Sequence, residues 1–329
     1  VFSSGAQETL EELFWKARIP AVHTMMGIGA LPSGYGLRLG MIGIHGGQAA
    51  NLALSRADLL VLTGTRVGDR AIPSPELLAR DKKVIHMDID PAEIGKNIPA
   101  DIPVVGDLRL ILGQLCEELS GESLAYPDWE REVLHYKDSV RALPHEREKL
   151  DPRAVLRTLS DRMEPGSILT ADVGQNQIWA VGSFNVLEGR FLTSGGMGTM
   201  GCAIPAAMGA KIACPEKQVI AVCGDGSFQM SMMELATIMQ HHIPVKIIVM
   251  KNNYLGMVRE YQHYTYKDHY SVVDIKDGSP DLEKLSAAYN IPFIRVENMS
   301  NAREKIQAFL KEDSTMLMEC LVDPMDLVK

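Results

Sequence analysis

Short apolar runs alternate along the chain with longer segments in which apolar residues recur at helical spacing. In the first half, the apolar runs 19–25, 57–64 and 82–90 predict buried strands. Helix-like segments lie around them at 8–18, 50–57, 75–81 and 107–119. The opening dipeptide Val1-Phe2 is predicted to end a further strand. Regular alternation of strands and helices predicts a parallel α/β architecture.

The second half of the chain repeats this alternation. Predicted strands cover 167–172, 190–194, 218–223, 245–250, 291–296 and 316–322, and predicted helices cover 152–163, 202–213, 231–241, 281–289 and 301–312. A chain of 329 residues is long for a single core, which favours two domains. We predict one α/β domain over 1–119 and another over 151–329. Between them, 120–150 is predicted to be a charged helical linker, solvated although Trp129, Val133 and Tyr136 recur at helical spacing.

Composition excludes several classes of function. The net charge of −9 and the lack of a basic block argue against nucleic acid or an anionic membrane surface as a partner. The apolar run 245–250 is far shorter than the ~20 residues that span a bilayer. Five scattered cysteines without a CxxC pair are typical of a reducing compartment. Since no targeting segment is visible, a cytoplasmic location is expected.

Polar and glycine-rich segments follow four predicted strands of the second half. These segments are ADVGQNQ at 171–177, SGGMGTMG at 194–201, GDGS at 224–227 and KNN at 251–253. Ligands of open α/β sheets bind beyond the carboxyl ends of the strands, so the four segments predict one site. The simpler alternative for any one of them is that Gly and Asn build a turn.

The segment at 194–201 also spells GxGxxG, through Gly196, Gly198 and Gly201. It follows a strand and precedes a helix, and the next strand ends at Asp225, which together suggest a dinucleotide fingerprint. A lone GxGxxG is a weak signal. A ribose-binding acid has no need of a glycine on both sides, and this alternative leaves KNN unexplained.

A divalent cation bound to a diphosphate accounts for both features. Mg²⁺ prefers oxygen ligands, which the Asp225 carboxylate, an amide such as that of Asn252, and the Tyr254 carbonyl would supply. Gly224 and Gly226 would let the backbone approach the ion, and Ser227 opens a helix whose amides suit a diphosphate. One helix and one strand separate the two candidate side chains, which is enough to return the chain to the same edge of the sheet.

This GDG…NN pattern resembles the thiamine-diphosphate motif, in which Mg²⁺ ties the cofactor's diphosphate to the protein. TADVGQNQIWA, LTSGGMGTMGCAIPAAMGAKIA, VIAVCGDGSFQM and KNNYLGMVREYQ further resemble the catalytic subunit of the acetohydroxyacid (acetolactate) synthase family, and the likeness covers essentially the whole chain. The resemblance implies two three-layer domains, a flavin-binding middle domain and a diphosphate-binding domain. It also implies that the catalytic positions are Gln175, Met200 and Met257, with Met200 supporting the bent cofactor and Met257 lining the substrate end. The thiamine-diphosphate contacts it implies are Gly174, Gln175, Asn176, Gly198, Met200, Gly224, Gly226, Ser227, Gly256 and Met257.

Segments of the first half resemble the flavin site of the same family. They are HTMMGIGALP (23–32), GIHG (43–46), GTRVGDRA (64–71), VIHMDIDPAEIGKN (84–97) and VVGDL (104–108). The implied FAD contacts are Thr24, Met25, Met26, His45, Gly46, Gly64, Thr65, Arg66, Asp69, Arg70, Asp88, Ile89, Gly106 and Asp107. Physically, an acid after an apolar strand suits a ribose hydroxyl, and an arginine suits phosphate. Taken singly, Arg66 could be an ordinary surface arginine and Asp88 an ordinary turn aspartate.

The chain departs from the family pattern in several places. Counting back from Gly256 aligns Asn252 with the metal-binding asparagine and Lys251 with the first of the usual pair, whereas the doublet alone would select Asn253. Tyr261 stands where a tryptophan is usual, and the sequence stops at MDLVK, where many relatives have a longer tail. The family's activating glutamate lies in an N-terminal domain that precedes the region matched here. The chain as given is therefore expected to be a fragment, inactive or weakly active alone.

The parent activity implied by the resemblance is carboligation of pyruvate with a second pyruvate or 2-oxobutanoate. FAD would be structural, since this reaction has no net redox change. The resemblance also implies a homodimer or tetramer and a possible small regulatory subunit. The alternatives are a sister carboligase or decarboxylase such as glyoxylate carboligase, a non-catalytic nucleotide-binding or subunit-interaction module, and an NAD-dependent dehydrogenase.

Overall fold

The structure, a computed structural model, describes residues 1–31, 34–122, 124–139, 150–185 and 189–328. Contacts divide the chain into two compact units, Val1–Leu143 and Pro144–Lys329. The strand pairs of the described residues are parallel in both units. The predicted parallel α/β class is thereby confirmed.

The first unit contains a parallel strand pair and a three-stranded parallel sheet. Its strands are β1 (Ala21–His23), β2 (Arg38–Met41), β3 (Leu59–Thr63), β4 (Lys83–Asp88) and β5 (Ile102–Val105). Its helices are α1 (Gln7–Ala17), α2 (Gln48–Arg56), α3 (Pro75–Ala79), α4 (Leu108–Glu118) and α5 (Pro127–Ser139). β1 pairs with β2, and β3, β4 and β5 form the larger sheet in that order. The sequence patterns do not predict β2, which lies in a glycine-rich stretch, or β5, which contains Pro103.

Two expectations for the first unit are wrong. Val1-Phe2 does not end a strand, because Phe2–Ser4 forms a single 3₁₀ turn before α1. The predicted linker is not solvated over α5. Val133 and Tyr136 are buried in the same core cluster as Leu112 of α4, with Trp129 packed against it. The helical spacing of these three residues therefore reflects an apolar face of α5 that packs on this unit.

The second unit is built on one six-stranded parallel sheet. Its strands are β6 (Ile168–Ala171), β7 (Arg190–Thr193), β8 (Val219–Gly224), β9 (Lys246–Lys251), β10 (Phe293–Val296) and β11 (Met316–Leu321), in the spatial order β10-β11-β9-β8-β6-β7. Its helices are α6 (Pro152–Ser160), α7 (Gln175–Ser183), α8 (Ala203–Ala213), α9 (Asp225–Gln229), α10 (Glu234–Gln240), α11 (Gly256–Tyr266), α12 (Leu282–Ala288) and α13 (Ala302–Lys311). A 3₁₀ turn covers Lys276–Gly278.

Both faces of this sheet are covered. On one face, Ala221 and Val249 belong to a buried cluster with Ile204 of α8 and Leu235 of α10. Their neighbours along the strands point to the opposite face because side chains alternate, and Val222 on that face is also fully buried. Burial on both faces explains why the strands read as continuous apolar runs. No helix within the described residues is long and apolar enough to cross a membrane.

Candidate functional site

Four strand ends lie side by side at the carboxyl edge of the six-stranded sheet. The order β9-β8-β6-β7 makes these strands neighbours, as the sequence predicted from their polar ends. The chain passes from β6 to β7 on one side and then returns to β8 on the other side of β6. The crevice between β6 and β8 is therefore a topological switch point, where open α/β sheets bind ligands.

Asp225 and Asn252 meet at this edge. The Asp225 carboxylate accepts hydrogen bonds from the backbone N–H groups of Asn252 (3.2 Å), Asn253 (2.5 Å) and Gly226 (3.0 Å). Both side chains are buried, at 5% and 8% exposure. The two candidate ligands thus follow adjoining strands, with the Asp225 carboxylate against the Asn252 backbone.

The charge of Asp225 has no compensating side chain in the part of the chain that the structure describes, where its hydrogen bonds come from backbone N–H groups. Burial raises the pKa of this carboxyl to about 6, and the backbone hydrogen bonds oppose that rise. A divalent cation would compensate the buried charge, so the residues present fit such an ion. Among the described residues no group of three His, Cys, Asp or Glu side chains could hold a metal, so a cation here would rely on amide, carbonyl and diphosphate oxygens.

The segment after Asn252 carries the third candidate oxygen. The Asn252 Oδ1 atom accepts a hydrogen bond from the Tyr254 N–H at 2.9 Å, which folds the backbone around the side chain. Tyr254 forms an isolated antiparallel bridge with Asp274, but its hydrogen bonds are made by the flanking residues Asn253 and Leu255. The Tyr254 carbonyl is therefore outside that pairing.

Glycines in this region sit where a side chain would collide with the site. A Cβ at Gly256 would lie 2.1 Å from Gln175 Oε1 and 2.8 Å from Asn252 Nδ2. A Cβ at Gly226 would lie 2.8 Å from Leu255 Cδ2 and 3.9 Å from Met200 Cε. The side-chain end of Met200, the residue predicted to support the bent cofactor, therefore lies beside the GDG turn.

The segment after β6 begins α7 at this edge. Gly174, with φ of +148°, precedes the helix, and the Asn176 side chain donates to the carbonyls of Asp172 (2.7 Å) and Val222 (3.2 Å). The buried Gln175 side chain accepts from Asn252 Nδ2 at 3.3 Å and donates to Glu260 Oε2 at 2.8 Å. Gln175 and Asn176 thus contact protein groups through their side chains, so a diphosphate would meet the backbone of this turn.

The remaining predicted positions of the second unit lie on the surrounding loops and helix ends. Ser227 Oγ donates to the Gly224 carbonyl at 3.1 Å and accepts from the Gly224 N–H, which caps the first turn of α9. Gly198 has φ of +67° in the exposed 194–201 segment. Met257 is half-buried in the first turn of α11.

Two residues that the sequence analysis did not single out complete the site. Asp172, fully buried at the end of β6, accepts from the N–H groups of Val173, Gly201 and Ala203 at 2.8–3.0 Å. Burial raises the pKa of Asp172 while these hydrogen bonds oppose that rise. The bonds from Gly201 and Ala203 fix the backbone on either side of Cys202, directly after Met200. An acid directly after the apolar run SILTA was the available signal. Glu260, buried on a largely polar helix, gave none.

In the first unit, the predicted flavin residues follow the carboxyl ends of the strands. Thr24 and the 3₁₀ turn Met25–Gly27 follow β1, and His45 and Gly46 follow β2. Gly64, Thr65 and Arg66 follow β3. Asp88 ends β4 and Ile89 follows it, and Gly106 and Asp107 follow β5. Asp69 and Arg70 lie further along the same loop and are exposed.

Hydrogen bonds hold these segments to one another. The Ile44 N–H donates to the Arg70 carbonyl at 3.0 Å, which joins the segment 43–46 to the end of 64–70. The Gly64 N–H donates to the Met87 carbonyl at 2.9 Å, and the Gly106 N–H to that of Asp88 at 3.0 Å. Four of the five predicted segments, 43–46, 64–71, 84–97 and 104–108, are therefore joined by backbone hydrogen bonds.

The buried His86 side chain forms a hydrogen bond with the backbone of the loop 64–70. Its Nδ1 accepts from the Gly95 N–H at 3.4 Å, which leaves Nε2 to donate to the Thr65 carbonyl at 3.1 Å. Asn97 donates to the neighbouring Arg66 carbonyl at 2.7 Å. These contacts fix the backbone of the loop while the Arg66 side chain remains exposed.

Two family models match the chain. Residues 1–115 match the central domain of thiamine pyrophosphate enzymes, and residues 172–320 match the C-terminal TPP-binding domain of the same enzymes. Together they include the flavin-like segments and the Asp225–Asn252 edge. The class of protein that the fold and the site define is thus that of thiamine pyrophosphate enzymes.

Curated relatives narrow the assignment. The probable acetolactate synthase large subunit of Methanocaldococcus jannaschii is 38% identical over 98% of this chain and 56% of the relative. The acetolactate synthase of Arthrospira platensis is 37% identical over 97% of this chain and 56% of the relative, and the large subunit of Lactococcus lactis is 36% identical over 97% and 55%. The chain belongs to the acetolactate synthase large-subunit family of thiamine pyrophosphate enzymes, and it spans about half the length of these relatives.

Proposed function

We propose that the protein to which this chain belongs catalyses thiamine-diphosphate-dependent carboligation of pyruvate with pyruvate or 2-oxobutanoate, giving 2-acetolactate or 2-aceto-2-hydroxybutanoate. The observation that carries the proposal is the buried Asp225 carboxylate, which lies against the Asn252-Asn253 backbone at the switch-point edge. The sequence similarity to acetolactate synthases supports the same reaction.

In this proposal Asp225, Asn252 and the Tyr254 carbonyl hold Mg²⁺, and the backbone around Gly174 and Ser227 faces the diphosphate. When bound, thiamine diphosphate supplies an electron sink for decarboxylation of a 2-keto acid. The chain's own contribution is to orient that group, with Met200 fixed beside Gly226 and Met257 at the substrate end. Asp172 holds the backbone that carries Met200.

FAD is proposed to bind the segments at the strand ends of the first unit, with a structural role because carboligation is redox-neutral. The joined loops 43–46 and 64–70 and the Asp88 turn support this assignment. The relatives are nearly twice as long as the chain, so we assign the reaction to a protein that also contains the portion not matched here. Residues 1–329 alone are expected to be inactive or weakly active. Homodimeric or tetrameric assembly, with a small regulatory subunit, is part of the proposal.

The test is a product assay on the full-length protein with Mg²⁺ and thiamine diphosphate. Acetolactate is expected from pyruvate, and Asp225→Ala is expected to abolish it. The matched control is Asp313→Ala, an exposed aspartate just before β11, at the opposite edge of the sheet. Product from glyoxylate with none from pyruvate would favour glyoxylate carboligase. No binding of Mg²⁺-thiamine diphosphate would favour a non-catalytic module.

A further inference from the structure

Glu260 is a buried carboxylate on α11 that contacts the Gln175 side chain of the candidate site. It is 5% exposed, and its Oε2 atom accepts from Gln175 Nε2 at 2.8 Å and from the Val328 N–H at 2.9 Å. Gln175 Nε2 also donates to the Asp326 carbonyl at 3.2 Å. The amide nitrogen of Gln175 is therefore surrounded by acceptors.

These acceptors decide which way the Gln175 amide faces. A backbone N–H can only donate, so the Glu260 oxygen that receives it acts as an acceptor, and the Asp326 carbonyl can only accept. Turning the Gln175 amide over would place its oxygen against two acceptors. Its nitrogen must therefore face Glu260, and its oxygen must face Asn252.

The same donor and acceptor argument then applies to the next amide in the relay, that of Asn252. Because Gln175 presents Oε1 to Asn252, the Asn252 amide must turn its nitrogen toward Gln175, as observed at 3.3 Å. Asn252 Oδ1 then lies on the other side of the amide, where it accepts from the Tyr254 N–H, a donor that favours the same orientation. An oxygen retains a second lone pair for a cation, whereas an amide nitrogen cannot bind one.

We propose that Glu260 is a positioning residue that fixes the Asn252 amide through Gln175, so that Asn252 presents its oxygen to the divalent cation. This inference rests on the proposed function, since it names how one ligand of that cation is oriented. The contact between the two amides passes directly over Gly256, where a Cβ would lie within 2.8 Å of both side chains. The chain therefore has room for this relay only with glycine at that position.

The first test is the affinity of the full-length protein for Mn²⁺ at saturating thiamine diphosphate, measured by EPR. Glu260→Leu removes the acceptor and is expected to raise the Mn²⁺ dissociation constant about tenfold, the effect of one misoriented ligand. Glu260→Gln keeps an acceptor oxygen and is expected to remain within about threefold of the parent. Should Glu260→Leu fail to fold, Gln175→Met breaks the same relay and is expected to raise the constant equally.

An aspartate at position 252 distinguishes a loss of amide orientation from a general loosening of the site. Both of its side-chain polar atoms are oxygens, so it can bind the cation whichever way it is turned. Asn252→Asp would place an oxygen against Gln175 Oε1, which Glu260 prevents from turning over. In the Glu260→Leu background only the longer contact with the Asp326 carbonyl, at 3.2 Å, opposes the turn, so Gln175 can turn and donate to the aspartate. Glu260→Leu is therefore expected to weaken Mn²⁺ binding about tenfold with asparagine at position 252 and not at all with aspartate there.

Controls distinguish failure of this inference from failure of the proposed function. Glu304→Leu makes the same chemical change at an exposed position of α13, away from the relay, so Mn²⁺ affinity should not change. If Asp225→Asn leaves Mn²⁺ binding unaltered, the proposed function fails. If Asp225→Asn abolishes binding while Glu260→Leu weakens it equally with asparagine and aspartate at position 252, the relay alone is overturned.

Discussion

Lys251 and Glu319 form an ion pair between the neighbouring strands β9 and β11, with Lys251 Nζ 3.2 Å from Glu319 Oε1. Glu319 is 1% exposed, and Arg295 Nε contacts its other carboxylate oxygen at 2.5 Å. Counting back from Gly256 aligns Lys251, directly before Asn252, with the first asparagine of the family pair. In this chain, that position therefore serves to neutralise a buried carboxylate beside the site.

Removing the Glu319 charge is expected to destabilise the second unit. Glu319→Gln leaves Lys251 without its carboxylate partner and leaves Arg295 with Glu283. Because both cations are partly exposed, the expected cost is that of charge-assisted hydrogen bonds, ~1.5–3 kcal/mol, rather than that of a fully buried pair. Urea unfolding of the full-length protein measures the effect. The matched control is Glu283→Gln, which removes an exposed carboxylate 3.3 Å from the same arginine and should cost under ~1 kcal/mol. Equal losses in the two variants would contradict a special role for burial.

Gly256→Ala is expected to damage the site without unfolding the protein. The new Cβ would lie 2.1 Å from Gln175 Oε1, so the contact between Gln175 and Asn252 must break. Carboligase activity should fall at least about tenfold, or ~1.4 kcal/mol in transition-state stabilisation. The control is Gly209→Ala on α8, where no heavy atom would lie within 4 Å of the Cβ. It should keep activity and gain ~0.5–1 kcal/mol in stability.

Lys246 predicts a pH dependence of stability. Burial lowers the pKa of this lysine to about 8, against partial compensation by Glu312 and Asp313, while its ammonium donates to the carbonyls of Glu312 and Ser314. Between pH 8 and 10.5 the unfolded state binds more protons at this residue than the folded state does. The lysine's contribution to the free energy of unfolding should therefore rise with pH across this window.

The measurement is urea unfolding of the parent and of Lys246→Met at several pH values from 7 to 10. The stability of the parent relative to this variant should increase with pH above 8. Lys311→Met, at an exposed position of α13, is the matched control. A difference between parent and Lys246→Met that stays flat with pH would count against the lowered pKa.

His86 is expected to affect flavin binding without touching the flavin. His86→Leu removes the hydrogen bond to the Thr65 carbonyl and leaves the Gly95 N–H without its acceptor. Loosening the loop 64–70 should weaken FAD binding roughly tenfold, the equivalent of one buried hydrogen bond. FAD retained per chain, measured by absorbance after purification, reports the loss. His135→Leu, on the exposed side of α5, should retain FAD at the parent level.

The sequence by itself determined the parallel α/β class, most strand positions and the polar character of the strand ends. Strands buried on both faces must be continuously apolar, so 218–223 and 245–250 could be found without a structure. The same local logic singled out Asp225 and Asn252, because an acid and an amide at the ends of such strands have no role in packing.

Only the tertiary structure decided which side chains meet there. Strand β5 and the packed face of α5 depend on partners elsewhere in the sequence. The local pattern therefore missed β5 and predicted that α5 would be solvated. Glu260 looked like one more charge on a polar helix, and only the fold turns it inward toward Gln175 and Val328. The physical reason is that a side chain's hydrogen-bond partners come from residues distant in sequence, which only the fold brings together. The alternation of apolar and polar positions, by contrast, can be read from neighbours along the chain.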